Sequence, residues 1–399
     1  MNTRKEALEI LYQVFSKNGY ASLIMREKKD IDPKHMPYIS NVVYGVIRNY
    51  RFLEYQWRSY AKRTKLKTAL TIDMAIYELF FMNGEDYAIV NEAVELVREN
   101  EKKFVNAILR RVIQEGKKNS DDICIQYSHP EWIYHMWKAH YGEEITKKIM
   151  LADQQIPKVY GRINPLKITK EQLSQDKNVH FIDDYSFTMN QAIQNTEYFK
   201  EGKVLIQNPS SLLPVFSLDV KEEMTVLDTC AAPGTKTQMI SALMNHTGEV
   251  IACDLYEQRC HLIDELMKRC GNTNVKTKVN DAIKETFEKE SFDRILCDVP
   301  CSGLGDLSHK PEIRWHLKPE NIDEIIQIQK EILNISSAYL KKGGILVYST
   351  CTLNKKENTS QINTFLKNHD DFILIEEKTI FPFETNHDGF YIAKLEKVH

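Results

Sequence analysis

From residue 224 to the C-terminus, apolar runs of strand length alternate with helix-length segments. No other feature of the sequence restricts the fold as strongly. Candidate strands are 225–228, 250–254, 275–279, 292–298 and 345–349, followed by 372–375 and 390–395. Helical patterns lie between them, including 237–244 and 322–340, where Ile325, Ile332 and Tyr339 recur seven apart. Alternation of this kind predicts a doubly wound, mostly parallel α/β sheet, here of seven strands. Three of the first four strands end in an acid: Asp228, Asp254 and Asp298. The third is followed by Asp281. Ligands of open α/β sheets bind at the carboxyl ends of the strands, so these acids are expected to share one rim.

The preceding sequence differs in pattern. Residues 1–116 have helical periodicity throughout, as in Leu8, Leu11, Val14 and Phe15, with a polar break at 30–35 and an expected cap at Asn83-Gly84. About five helices with short connections predict a small bundle. A polar stretch at 117–122 reads as a linker. His129-Pro130-Glu131-Trp132 reads as a helix start with proline in its first turn. Residues 158–199 mix strand-like and helix-like pieces and are long enough for a small α+β subdomain. The expected domains are therefore 1–120, 121–205 and 206–399. No run approaches the length of a membrane span, and the eight cysteines lack metal-type or disulfide-type spacing. These features predict a cytoplasmic protein with no metal site and no membrane partner. Charge is uneven: residues 1–120 hold 21 Lys and Arg against 15 Asp and Glu, and the remainder holds 32 against 41. A basic appendage on an acidic body fits a polyanionic partner. Arg110 and Arg111 face either that partner or solvent.

The turn after the first strand is Cys230-Ala231-Ala232-Pro233-Gly234-Thr235-Lys236. It fails the phosphate-loop pattern, because no glycine stands at the required position before Lys236. It also fails the dinucleotide fingerprint, because only Gly234 is present. What remains is a tight turn with Asp254 twenty residues beyond Gly234, where a carboxylate binds ribose hydroxyls. An acidic rim disfavours phosphate. A cationic ligand that bears a ribose, such as S-adenosylmethionine, suits it better.

Two cysteines follow strands on this rim: Cys301 in Asp298-Val299-Pro300-Cys301, and Cys351 in Ser349-Thr350-Cys351. A single such cysteine is usually a small buried residue. Two beside a methyl-donor site fit methylation of an unactivated ring carbon. A thiolate that adds to C6 of cytosine drives electron density to C5, an acid near N3 stabilises the charge, and a second group assists release. Spacing alone leaves open which cysteine attacks.

CAAPGTKT (230–237), DVPCSGLG (298–305), Arg314-Trp315 and YSTCTLNKKEN (348–358) resemble the RNA cytosine-C5 methyltransferases, in particular their bacterial 16S ribosomal RNA members. Residues 1–116, above all FVNAILRRV (104–112), resemble the NusB-type RNA-binding bundle. YSHPEWIYHMW (127–137), GRINPLK (161–167) and QNPSSLLP (207–214) resemble the segment that precedes the catalytic domain. The resemblance implies a Rossmann-like methyltransferase sheet behind a NusB-like bundle, and a monomer without an obligate protein partner. The implied substrate is 16S ribosomal RNA, with cytosine 967 as the expected target. It also implies that Cys351 attacks C6, that Cys301 assists release, and that Asp298 contacts the base and borders the cofactor. Residues Cys230 to Lys236 would wrap S-adenosylmethionine, with Asp254 on its ribose and Asp281 by its adenine. One departure is Thr235, where the family usually has a second glycine. Its added Cβ fits if Thr235 is helical. The alternatives are the same chemistry on transfer RNA or another ribosomal site, or a non-catalytic RNA-binding factor built on the bundle. DNA cytosine methyltransferases attack with the proline-linked cysteine and lack the Ser-Thr-Cys motif.

Overall fold

A computed structural model describes residues 2–28, 31–61, 63–82 and 84–399. The expected cap residue Asn83, and Asp30 of the polar break, lie outside the described residues. The chain forms two compact units. One comprises Met1–Ile156 with Leu307–Leu317, and the other Pro157–Asp306 with Lys318–His399. No helix among the described residues is long and apolar enough to cross a membrane.

The first unit is helical. Its long helices are Thr3–Lys17, Met36–Trp57, Leu66–Phe81, Glu99–Glu115 and Glu131–Ala152. Leu8, Leu11, Val14, Ile39, Val43, Ile47, Leu70, Ile76, Leu109 and Val112 recur at helical spacing and are buried in one core. Asp73 is buried within it and accepts a hydrogen bond from Trp57 Nε1 at 2.7 Å, while burial pushes its carboxyl well up. Pro130 is the N-cap of its helix rather than a residue of the first turn, with extended backbone at ψ 142. Arg111 pairs with Glu115 at 2.8 Å and lies over the Tyr60 ring, so its charge is partly neutralised within its own helix and its neighbour.

Leu307–Leu317 lies far from the rest of this unit in sequence yet belongs to it and packs against its core. Trp315 donates to the Ile47 carbonyl at 2.8 Å and meets Tyr50 edge-on. Arg314 is fully buried and donates to the carbonyls of Ser128 and Leu307, and burial pushes its guanidinium down to about 10. Beside it, His129 and Asp153 form a buried pair at 3.1 Å. Trp315, which the sequence allows as either core or base-stacking, is half-buried and packs against the core.

The second unit carries the α/β sheet. Its strands are β1 (Thr225–Asp228), β2 (Glu249–Asp254), β3 (Val275–Val279), β4 (Phe292–Asp298), β5 (Leu340–Thr350), β6 (Phe372–Ile380) and β7 (Phe390–Lys397). Their spatial order is β6-β7-β5-β4-β1-β2-β3. The five from β5 to β3 run parallel, and β7 lies antiparallel between β5 and β6. Neighbouring residues of the central strands alternate between two cores. Leu227, Ile295, Cys297, Leu346 and Tyr348 face helices Pro319–Ala338 and Thr359–Asn368. Val226, Leu296 and Val347 face helices Leu213–Ser217 and Thr235–Leu243. The order reverses between β1 and β4, and this switch point opens a crevice at their carboxyl ends.

A separate four-stranded antiparallel sheet precedes it, ordered Val179–Phe181, Ser186–Met189, Gly161–Ile163, Val204–Ile206. A Cβ on Gly161 would sit 2.3 Å from the Phe187 ring, so the glycine is what lets that ring close over the strand. Arg162 is fully buried behind the α/β sheet. It bonds Gln207, Gln238 and the Thr235 carbonyl at 2.6–3.2 Å, tying the small sheet to the helix that follows the first turn.

Candidate active site

The turn after β1 is built for close approach. Gly234, at φ +99, caps helix Thr235–Leu243, and the Ala232–Pro233 peptide is cis. A Cβ on Gly234 would lie 3.2 Å from Ile263 Cγ2 and 3.3 Å from its Cα, in a conformation that L-residues seldom adopt. Thr235 is the first residue of the helix, so its extra Cβ meets no conformational penalty. The amides of the turn are already engaged: Ala231 N donates to the Cys253 carbonyl at 2.8 Å, and Ala232 N to Asp254 Oδ2 at 3.3 Å.

Asp254 ends β2 and is only 3% exposed. Arg259 stands 3.3 Å from its Oδ1, but that oxygen accepts no hydrogen bond. Buried acceptors are normally satisfied. A buried, ion-paired carboxylate oxygen that accepts no hydrogen bond, beside a glycine-capped turn, fits a ribose hydroxyl. Asp228 likewise has a buried Oδ1 without a hydrogen-bond partner, while its Oδ2 accepts from Thr237 Oγ1 at 2.7 Å. Both observations suit a cationic, ribose-bearing ligand. Exposed apolar side chains stand at the same edge: Leu255, which follows Asp254, and Val279, its ladder partner on β3. Asp281 lies on a looser loop. Its carboxylate pairs with Lys284 at 3.1 Å, and the loop is joined to β2 by Asn280 N donating to the Asp254 carbonyl at 2.9 Å. Cys230 is half-buried, and burial pushes its thiol well up.

Burial also raises the Asp228 carboxyl. Thr237 opposes the rise, the Asp298 charge adds to it, and the result is about 7. A carboxyl that titrates higher folded than unfolded binds its proton more tightly in the native state. Its contribution to stability is complete below about pH 4 and is lost as pH rises through 7. Without S-adenosylmethionine, the melting temperature should therefore fall between pH 5 and pH 7 more steeply than in Asp228→Asn. The difference corresponds to on the order of 2–3 kcal/mol, or several degrees. Parallel melting curves of the two proteins would remove Asp228 from this role.

At the ends of β4 and β5 the ladder pairs Asp298 with Ser349. Asp298 Oδ1 accepts from Ser349 Oγ at 2.7 Å, and Oδ2 from Lys236 Nζ at 2.7 Å. Burial opposes the charge on Lys236, but Asp298 outweighs it and holds the ammonium above its ordinary range. The register places the loops after both strands side by side, and the Cys301 and Cys351 sulfurs are 3.2 Å apart. Both residues are half-buried. The contact with Cys351, and then burial, push the Cys301 thiol well up. The structure therefore brings Lys236, Asp298, Cys301 and Cys351 together, with Asp254 across the switch point and Asp281 further out along the edge.

One member of the cluster was not singled out from the sequence. Glu357, inside the polar run Lys355-Lys356-Glu357-Asn358, is fully buried and receives hydrogen bonds from both cysteine loops. The motif at 348–358 contained it, but a charged residue in such a run reads as solvated.

Comparison with known proteins follows this geometry. The family model of 16S rRNA methyltransferase RsmB/F matches residues 215–396, the NusB family model residues 1–114, and the RsmF/B-like ferredoxin-like domain residues 129–176. The chain is 32% identical to a probable ribosomal RNA small subunit methyltransferase B of Bacillus subtilis, over 99% of each chain. It is 30% identical to a protein of the same description from Synechocystis, over the full length of both. Among solved structures, the protein PH0851 has the same fold, with a TM-score of 0.84 and 23% identity over 99% of this chain and 98% of that one. NSun6 from Pyrococcus horikoshii, solved with SFG, matches 68% of this chain and 98% of its own at a TM-score of 0.62 and 22% identity.

Proposed function

The chain belongs to the RsmB/F family of S-adenosylmethionine-dependent 16S rRNA methyltransferases, and from that premise we propose that it methylates C5 of a cytosine through a covalent bond between Cys351 and C6. The observation that carries the proposal is the approach of two thiols to 3.2 Å beside the Asp298–Lys236 pair, at the carboxyl ends of adjacent parallel strands.

Cys230 to Lys236 would hold the cofactor, with Asp254 for its ribose and Asp281 for its adenine. S-adenosylmethionine supplies an electrophilic methyl group on a sulfonium, whose charge an acidic rim favours. Cys351 loses its proton and adds its sulfur to C6, and the displaced π pair makes C5 a carbon nucleophile. The proton that leaves Cys351 passes through Asp298 to N3, where density grows as C6 is attacked, and Lys236 and Ser349 hold the Asp298 carboxylate in place. Once C5 is methylated, water takes its proton, the C5–C6 double bond reforms, the pair of the sulfur–C6 bond returns to Cys351 sulfur and N3 gives up its proton. Cys301 assists that release. The helical unit, with its excess of basic residues, holds the RNA.

Bisulfite sequencing of total RNA tests this reading. One cytosine of 16S rRNA, expected at position 967, should resist conversion in cells with the gene and convert in cells without it. No difference at any 16S cytosine overturns the assignment. A difference confined to transfer RNA moves the same chemistry to that substrate.

A further inference from the structure

A carboxylate stripped of water is tolerable only when donors surround it, and Glu357 is surrounded. Its Oε2 accepts from Ser302 N at 2.8 Å and Gln329 Nε2 at 3.0 Å. Its Oε1 accepts from Ser302 Oγ at 2.5 Å, Asn354 Nδ2 at 3.0 Å and Thr352 Oγ1 at 3.4 Å. Ser302 follows Cys301 and Thr352 follows Cys351. Ser302 Oγ and Thr352 Oγ1 also lie 2.7 Å apart. On the other side of Cys301, the Pro300 carbonyl accepts from the same Gln329 amide at 2.9 Å. Gln329 belongs to helix Pro319–Ala338, so a third element joins the two loops. Cys301 is thus bracketed by tethers that converge on one carboxylate, and Cys351 is tied to that carboxylate by its next neighbour.

We propose that Glu357 is a positioning residue: it clamps the Cys301 loop against the Cys351 loop and sets its carboxylate beside Cys301, so that two thiols 3.2 Å apart take different roles. This rests on the roles given to the two cysteines above. The charged and titratable groups that act on Cys301 agree with it. Cys351 and Glu357 both disfavour its thiolate, and Tyr348, whose hydroxyl donates to the Glu357 carbonyl at 2.7 Å, brings no positive charge.

The test uses the full chain without RNA or cofactor. Alkylation of each cysteine by iodoacetamide is followed by peptide mass spectrometry from pH 6 to pH 10. In Glu357→Gln, which conserves shape and removes the charge, the midpoint for Cys301 should move down by about one pH unit. A role confined to holding the loop would change the rate at every pH and leave the midpoint in place. An unmoved midpoint in a folded variant overturns the proposal. Should Glu357→Gln fail to fold, Ser302→Ala keeps the carboxylate and removes one tether. It should lower kcat for methyl transfer several-fold and accumulate the covalent RNA adduct, with KM for RNA within twofold of wild type. Wild-type kcat in that variant overturns the proposal. The two readings fail separately. Wild-type protein that methylates no cytosine removes the proposed function, whereas an unmoved midpoint in an active enzyme removes only the clamp.

Discussion

Cys351→Ala should lower methyl transfer to 16S rRNA by roughly 10³-fold or more, because an enzyme that loses its nucleophile keeps only what binding and electrostatics contribute. Cofactor affinity should stay within about twofold. Asp254 and Gly234 belong to the end of β2 and the turn after β1 rather than to the β5 loop that carries Cys351, and the volume lost is one sulfur atom at a half-buried position. The measurement pairs tritiated methyl incorporation with calorimetric titration of S-adenosylmethionine. Activity within tenfold of wild type would mean that another group forms the bond to C6, and Cys301, whose sulfur lies 3.2 Å away, would be the first to examine. The prediction discriminates because the two sulfurs are so close that proximity alone would let either attack. What separates them is environment. Its contact with Cys351, then burial, and with them the nearby Glu357 carboxylate, disfavour the Cys301 thiolate.

Cys301→Ala should have the opposite signature. Attack and methylation proceed, release stalls, and the protein remains joined to its RNA through Cys351. A denaturing gel should show a retarded, RNA-dependent band that is absent from wild type and from the double variant with Cys351→Ala. Turnover should fall by about 10²-fold or more, within the range expected for a lost acid–base group, while a single-turnover burst of methylation survives. A Cys301→Ala protein that turns over normally without a retarded band would make Cys301 a packing residue.

The α/β sheet was legible because parallel strands buried on both faces are unbroken apolar runs, and because acids mark their ligand-facing ends: Asp228, Asp254 and Asp298 end β1, β2 and β4. The two cysteines were legible as strand-end residues, but nothing in their spacing gives the 3.2 Å approach, which comes from the β4–β5 register. Strands Ser186–Met189 and Val204–Ile206 escaped notice because three or four residues are too few to establish a period. Glu357 and Arg314 illustrate a different limit. A charged side chain reads as solvated unless the partners that satisfy it are known, and theirs come from as far away as Ser302 and Ser128. Trp315 was ambiguous for the same reason, since its carbonyl partner lies at Ile47.

The path of the chain through Leu307–Leu317 bears on how this protein was assembled and how it can be cut. The helical unit resembles a self-contained module at the front of the sequence, but part of its interior is encoded some 150 residues later, inside the catalytic half. A fragment ending at Ile156 would lack the indole that packs against its core and the buried guanidinium beside it. A catalytic fragment beginning at Pro157 would expose them to water. Neither stretch of sequence holds a whole unit, so truncation at the apparent boundary removes more than an RNA-binding surface.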